Sequence, residues 1–235
     1  MIHMRGFGVA YPAFTLGPLD LRVDAGERVA LVGANGAGKS TALRALAGRL
    51  EPYLGSACVN GVEVREDRIR TRGHVGMLPE RFAGFPWMTV QEHLDFLSGF
   101  YATWDHEHAQ DLCQALQVPS EKALGTLSKG NLMKVSLVAA EAFRPPVLLL
   151  DEPTAGIDPV MRDLLLRVLS ECLSSSSGRC LVFSTHILED IEPVSARVLL
   201  LREGRLIGDE PLAALRGESP DGSVAKAVAR RLRDA

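Results

Sequence analysis

The apolar positions of this chain change their spacing from one stretch to the next. Phe14–Leu16, Leu19–Val23 and Arg28–Val32 alternate or run as short apolar blocks, punctuated by Gly17-Pro18 and Ala25-Gly26-Glu27. Short runs bounded by turn formers predict strands. Lys39–Leu50 reads as a helix closed by Pro52 and Gly55. Asn60-Gly61 predicts a hairpin turn inside Ser56–Val64. From Phe85 to Arg144 the spacing becomes helical, as in Val90, Leu94, Leu97 and Tyr101, until Pro145-Pro146 ends it. Strands then alternate with helices: Val147–Leu150, helix Met161–Leu173, Leu181–Phe183, helix His186–Val194, and Val198–Leu201. Ser174–Ser177 and Gly217–Ser223 read as loops. Val224–Leu232 reads as a short basic helix through Lys226, Arg230, Arg231 and Arg233, either solvated or set against a partner or anionic lipid.

Strands separated by helices imply an α/β fold with a mostly parallel sheet and helices on its faces. The helical stretch inside that alternation predicts an inserted helical lobe. Composition agrees with a folded chain: 235 residues, 46% of them hydrophobic. The formal net charge of −3 gives no basic footprint for a nucleic-acid partner, so none is expected. The apolar runs are strand-length, far short of the ~18 residues of a membrane span. Met1–Arg5 has no apolar leader pattern, so a cytoplasmic protein is expected. Cys58, Cys113, Cys172 and Cys180 are scattered without a C-x-x-C pair and read as reduced thiols rather than metal ligands or disulfides.

The candidate chemistry begins at Gly33-Ala-Asn35-Gly36-Ala-Gly38-Lys39-Ser40-Thr41, which fits G-x-x-x-x-G-K-[ST] between a predicted strand and a predicted helix. Glycines let the backbone turn tightly enough for its N–H groups to face phosphate oxygens. The helix N-terminus adds partial positive charge. Lys39 is expected on the β- and γ-phosphates and Ser40 on Mg²⁺. A P-loop alone does not separate a GTPase, a kinase and a transport ATPase. Val147–Leu150 runs into Asp151 and Glu152 at the strand end, where open α/β sheets place ligands. Two acids there either cap the next helix or serve the phosphate site. In the second case Asp151 is the Mg²⁺ partner and Glu152 the general base.

Three further segments give the chain a family resemblance. Leu127-Ser128-Lys129-Gly130-Asn131 resembles the signature of ABC ATPases, Ala155-Gly156-Ile157-Asp158 their D-loop and Ser184-Thr185-His186 their H-loop. With the P-loop and the Asp151-Glu152 strand they stand in the family's order and cover residues 3 to 210. The resemblance implies a P-loop NTPase core with an N-terminal antiparallel β subdomain. It implies one ATPase domain over 1–216, with the core in 1–84 and 146–216, the lobe in about 85–145, and a tail in 217–235.

The resemblance also implies ATP and Mg²⁺ as ligands and a head-to-tail dimer. Ser128 and Gly130 of one copy would cap the γ-phosphate held by the other, and Asp158 would lie at their interface. His186 corresponds to the switch histidine that contacts the γ-phosphate. Tyr11 corresponds to the aromatic that stacks on adenine, with a core or strand tyrosine as the competing reading. Glu80 stands where the family has its Q-loop glutamine, and a carboxylate there can approach Mg²⁺ or its waters but donates no amide hydrogen. Lys129 and Asn131 replace the usual Gly and Gln; Lys129 faces either the opposite γ-phosphate or solvent.

The implied partners are a second ATPase subunit, identical or paralogous, and a membrane-spanning permease on a separate chain. That pairing would hold the protein on the inner face of the membrane. Phe85, Trp87, Phe96, Phe100, Tyr101 and Trp104 are either docking anchors or lobe packing. Phe100–Asp105 and Leu127–Gly130 look most like the ATPases of bacterial ABC-2-type exporters. The alternative is a soluble, non-transport ABC ATPase.

Overall fold

The computed structural model describes residues 1–174, 178–219 and 221–234. The strands are β1 (Ile2–Tyr11), β2 (Phe14–Val23), β3 (Arg28–Val32), β4 (Leu54–Val59), β5 (Val62–Glu63), β6 (Val75–Leu78), β7 (Val147–Asp151), β8 (Cys180–Thr185), β9 (Arg197–Arg202) and β10 (Arg205–Pro211). The helices are α1 (Lys39–Leu46), α2 (Arg68–Gly73), α3 (Val90–Ser98), α4 (His106–Ala115), α5 (Lys129–Glu141), α6 (Pro159–Ser174), α7 (Ile191–Val194), α8 (Leu212–Gly217) and α9 (Val224–Asp234).

Two sheets form. An antiparallel one runs β2-β1-β4-β5, and the other runs β10-β9-β3-β8-β7-β6. In the second, β6, β7, β8, β3 and β9 pair in parallel and β10 closes the edge antiparallel to β9. Alternate residues of its central strands enter two separate cores, as strand pleating requires. Ala30, Val32, Leu148, Leu150, Leu181 and Phe183 face the core shared with α3–α9. Val29, Leu31, Val147, Leu149 and Val182 face the core shared with α1 and the antiparallel sheet. All five residues of β7 and all six of β8 are buried. Burial on both faces gives the near-continuous apolar run of a central parallel strand.

The helices of the 90–141 stretch start at side-chain caps. Thr89 and Glu92 form a reciprocal capping box on α3, while Asp105 caps α4 and Ser128 caps α5. α5 packs against β6 and carries α3 and α4. Its last residue, Glu141, is fully buried and bonded by Arg179 at 2.8 Å. Burial pushes the Glu141 carboxyl up, and the Arg179 cation opposes that shift. Arg179→Ala leaves this carboxylate buried without its cation, so a loss of about 3–5 kcal/mol is expected in urea unfolding. An unchanged midpoint would show that the pair is dispensable.

The structure corrects several expected elements. β1 was not expected as a strand. Phe14–Leu16 and Leu19–Val23 are one strand. α1 ends at Leu46 because Gly48 takes φ +65° beyond it. The Asn60-Gly61 turn forms as expected, with Cys58↔Glu63 and Val59↔Val62 paired and both turn residues at positive φ. The expected helix His186–Val194 is a 3₁₀ turn over Leu188–Asp190 followed by the short α7. Ile187 is extended, and Thr185 Oγ1 takes its N–H at 2.9 Å. Residues 175–177 of the expected Ser174–Ser177 loop, the Cys172 side chain and Pro220 of the expected 217–223 loop lie outside the described residues.

Candidate nucleotide-binding site

The site stands at the C-terminal ends of β3, β7 and β8, three neighbouring parallel strands. The loop after β3 reaches α1 through Gly36 at φ +81° and Gly38 at φ +105°. Gly33 is required for a different reason: a Cβ there would sit 2.2 Å from the Leu201 carbonyl oxygen of β9. The loop is thus pressed against β9, with its turn residues 34–36 exposed.

Lys39, at the first turn of α1, is buried. Its Nζ donates to Gly33 O at 2.8 Å and Ala34 O at 3.2 Å, and pairs with Glu152 Oε1 at 3.1 Å. Ser40 Oγ donates to Asp151 Oδ1 at 2.9 Å. Ser184 Oγ donates to the same oxygen at 2.8 Å and accepts the Glu152 N–H at 3.0 Å. Glu152 sits at φ +51°, which turns the chain sharply off β7. Its Oε2 meets His186 Nδ1 at 2.8 Å. The folded chain therefore brings Lys39, Ser40, Asp151, Glu152 and His186 together.

Burial pushes the Asp151 carboxyl up, against the hydrogen bonds from Ser184 and Ser40; Glu80 is near enough to add to the rise. Asp151 Oδ2 is buried without a hydrogen-bond partner. A free carboxylate oxygen beside the Ser40 hydroxyl suits a hard, oxygen-seeking dication. Among the described residues no cluster of three or more His, Cys, Asp or Glu could hold a metal ion. Mg²⁺ commonly needs only one or two protein oxygens and takes the rest from phosphates and water. The residues present fit it.

Tyr11 pairs with Phe14 across the tip of the β1–β2 hairpin. The Phe14 ring lies where a Cβ on Gly38 would come within 2.8 Å of it, so this hairpin tip adjoins the loop. Tyr11 is 43% exposed at the end of β1, so it is not a core tyrosine; it is a strand residue. Ser128, Gly130 and Asp158 lie on a different surface. Ser128 caps α5, and Asp158 Oδ1 accepts the Met161 N–H at the start of α6.

Lys129 is exposed, in line with the solvent alternative, and its Nζ also donates to the Ala155 carbonyl and ties the two segments together. Ser184 was quoted within a motif without a role of its own. Its signal was its position opposite Asp151 in the β7–β8 register. Arg233, which lines a cavity on the phosphate loop, was seen only as part of a basic helix.

A strand–loop–helix phosphate cradle, with an acid pair one strand away from its neighbour, defines the P-loop class. The family described as ABC transporter matches residues 16–155. An uncharacterized ABC transporter ATP-binding protein of Synechocystis sp. is 30% identical over 223 residues, 92% of this chain and 62% of that protein. A probable multidrug ABC transporter ATP-binding protein of Escherichia coli is 32% identical over 215 residues, 88% of this chain and 37% of that one. This chain thus spans less than two thirds of the length of either relative. A solved ATP-binding subunit of an ABC transporter superposes with a TM-score of 0.86 at 27% identity, covering 98% of this chain and 99% of that one. The chain belongs to the ABC transporter family.

Proposed function

We propose that this chain is the ATP-hydrolysing subunit of an ABC transporter, acting in pairs and moving a permease carried on a separate chain. The observation that carries this reading is the direct contact of Lys39 and His186 with the two oxygens of one buried carboxylate, Glu152. A triphosphate is a stronger anion for Lys39 than Glu152 is. Once Lys39 turns to the phosphates, Glu152 Oε1 can accept a proton from a water molecule as the water's oxygen bonds to the γ-phosphorus; the bond from that phosphorus to the β–γ bridging oxygen breaks, and ADP and phosphate leave. His186 holds the other carboxylate oxygen in place. Ser40 and Asp151, with Glu80 nearby, would hold a Mg²⁺ ion, which when bound would neutralise phosphate charge. The Ser128 end of α5 in a second copy completes the γ-phosphate cradle with its N–H groups and helix dipole.

In this reading 1–216 is the ATPase domain, 85–145 its lobe and 217–235 a tail. The multidrug relative and the resemblance of segments 100–105 and 127–130 support an exporter. No described helix is long and apolar enough to cross a membrane. A permease on a separate chain would hold this one on the inner membrane face. The docking surface is the lobe's aromatic ladder. Trp87, Phe85, Phe96 and Phe100 are exposed and touch in series at centroid distances of 5.1, 5.9 and 5.1 Å. Tyr101 instead stacks on Phe143 at 4.0 Å, and Trp104 packs against the core.

Trp87→Ala with Phe100→Ala is expected to weaken co-purification with the permease by about tenfold or more while ATP turnover of the isolated chain stays normal. Unchanged co-purification would remove the ladder from the interface. The function itself is tested by phosphate release from Mg²⁺-ATP. Failure of the purified chain to turn over ATP, alone or with its permease, would overturn the reading.

A further inference from the structure

A cavity of about 300 Å³ opens on the inserted lobe between α3 and α4 and shares no residue with the nucleotide site. Leu94, Ala109 and Val118 form its buried floor, and the half-buried Trp104 stands at its wall. Gln91, Gln110, Gln114 and Gln117 line it too, and these are all four glutamines of the 235-residue chain. Gln110 and Gln114 are one turn apart on α4 and so share a face. Gln91 donates to Asp95 Oδ1 at 2.9 Å. The side chains of the other three make no hydrogen bond among the described residues. Gln117 follows α4 at φ +52°, a left-handed position that favours glycine and strains any side chain. A glutamine held there against that preference points to a use for its amide.

The lining selects the chemistry of a ligand. No Lys or Arg lines the cavity, so a phosphate or carboxylate would be buried without a counter-charge. Its titratable groups are Asp95, His106 and Cys113. Gln91 already engages the Asp95 carboxylate, and burial pushes the Cys113 thiol up, which keeps it uncharged. His106 is exposed and stands edge-on to Trp104 at 6.4 Å. A purely apolar ligand would strip the amides of water and return no hydrogen bond. A hydroxyl both donates and accepts, as a side-chain amide does, so several hydroxyls on one ring can pair with several amides. The C–H face of such a ring suits the electron-rich face of the Trp104 indole. The volume lies at the small end of ligand pockets, which fits a single ring better than a nucleotide.

We propose that this cavity binds a neutral sugar, with a pyranose ring lying on Trp104 and its hydroxyls on Gln110, Gln114 and Gln117. Helices α3 and α4 both pack on α5, so a sugar held between them braces the lobe. The site is separate from ATP turnover and from pairing, and it stands or falls independently of both.

Trp87→Phe leaves Trp104 as the only tryptophan of the chain, so its fluorescence reports the cavity. Methyl glycosides of glucose, galactose and mannose are titrated into this chain, with choline and inorganic phosphate as contrasting probes. At least one glycoside is expected to shift the emission saturably at millimolar concentration, and neither contrasting probe to do so. Gln110→Leu is expected to weaken that binding about tenfold at an unchanged melting temperature. Gln117→Gly is expected to weaken it too while raising the melting temperature, because the left-handed position suits glycine. No response to any glycoside would overturn the proposal, and a response to choline or phosphate in place of the glycosides would overturn its ligand class. Glycoside binding that survives both glutamine substitutions would place the sugar elsewhere and overturn the site.

Discussion

Lys39→Ala is expected to reduce steady-state ATP turnover to background. The ammonium is buried and held by two carbonyls of its own loop and by Glu152. It sits at the loop's mouth, one side-chain turn from the phosphates once Glu152 releases it. Removing one preorganised donor of this kind costs about 10²–10³ in rate, and here a full positive charge goes with it. Nucleotide affinity should fall as well, because the same group neutralises the bound phosphates. The carboxylate of Glu152 would keep only His186 as a partner, so some loss of stability is expected too. Phosphate release measures the first effect, and nucleotide titration by fluorescence or calorimetry the second. Turnover equal to that of the unaltered chain would refute the role of the loop.

Glu152→Gln is expected to separate binding from hydrolysis. The amide matches the carboxylate in shape and can still meet His186, but it takes no proton from water. Loss of a general base lowers the rate by about 10²–10⁴. The phosphate cradle of Lys39, Ser40 and Asp151 is untouched, so ATP should bind and persist. At about 100 times its Kd, ATP should add roughly 2.7 kcal/mol to stability, read as a higher melting temperature. Persistence of ATP should also accumulate dimer, visible by gel filtration. Rapid hydrolysis by this variant would take the catalytic role away from Glu152.

The residues of the site were legible because the backbone itself dictates them. Close packing at Gly33, positive φ at Gly36 and Gly38, and a buried strand ending in Asp151 all leave marks in residue type and order. Contacts between distant segments left no such mark. Lys129 reaches Ala155 only because α5 and the turn after β7 happen to meet, 26 positions apart in the chain. The Ser184 hydroxyl bridges Asp151 and Glu152 through strand register, which no single strand reveals.

Strand β1 was hidden by its own irregularity. Its register shifts between Met4 and Phe7 and again between Phe7 and Val9, so the buried positions change parity and the alternation breaks. Likewise the helix expected from His186 fails locally. The Thr185 hydroxyl captures the Ile187 N–H, which holds His186 on an extended turn facing Glu152.

The central claim concerns a gap that one copy cannot close: a triphosphate on the loop from Gly33 to Thr41 meets the α5 tip of another copy. A crystal structure of the Glu152→Gln chain with ATP and Mg²⁺ tests it directly. The expected result is a pair in which Ser128 Oγ of each copy lies about 3 Å from a γ-phosphate oxygen on the other. A nucleotide-loaded chain whose Ser128 stays remote from every γ-phosphate would contradict it.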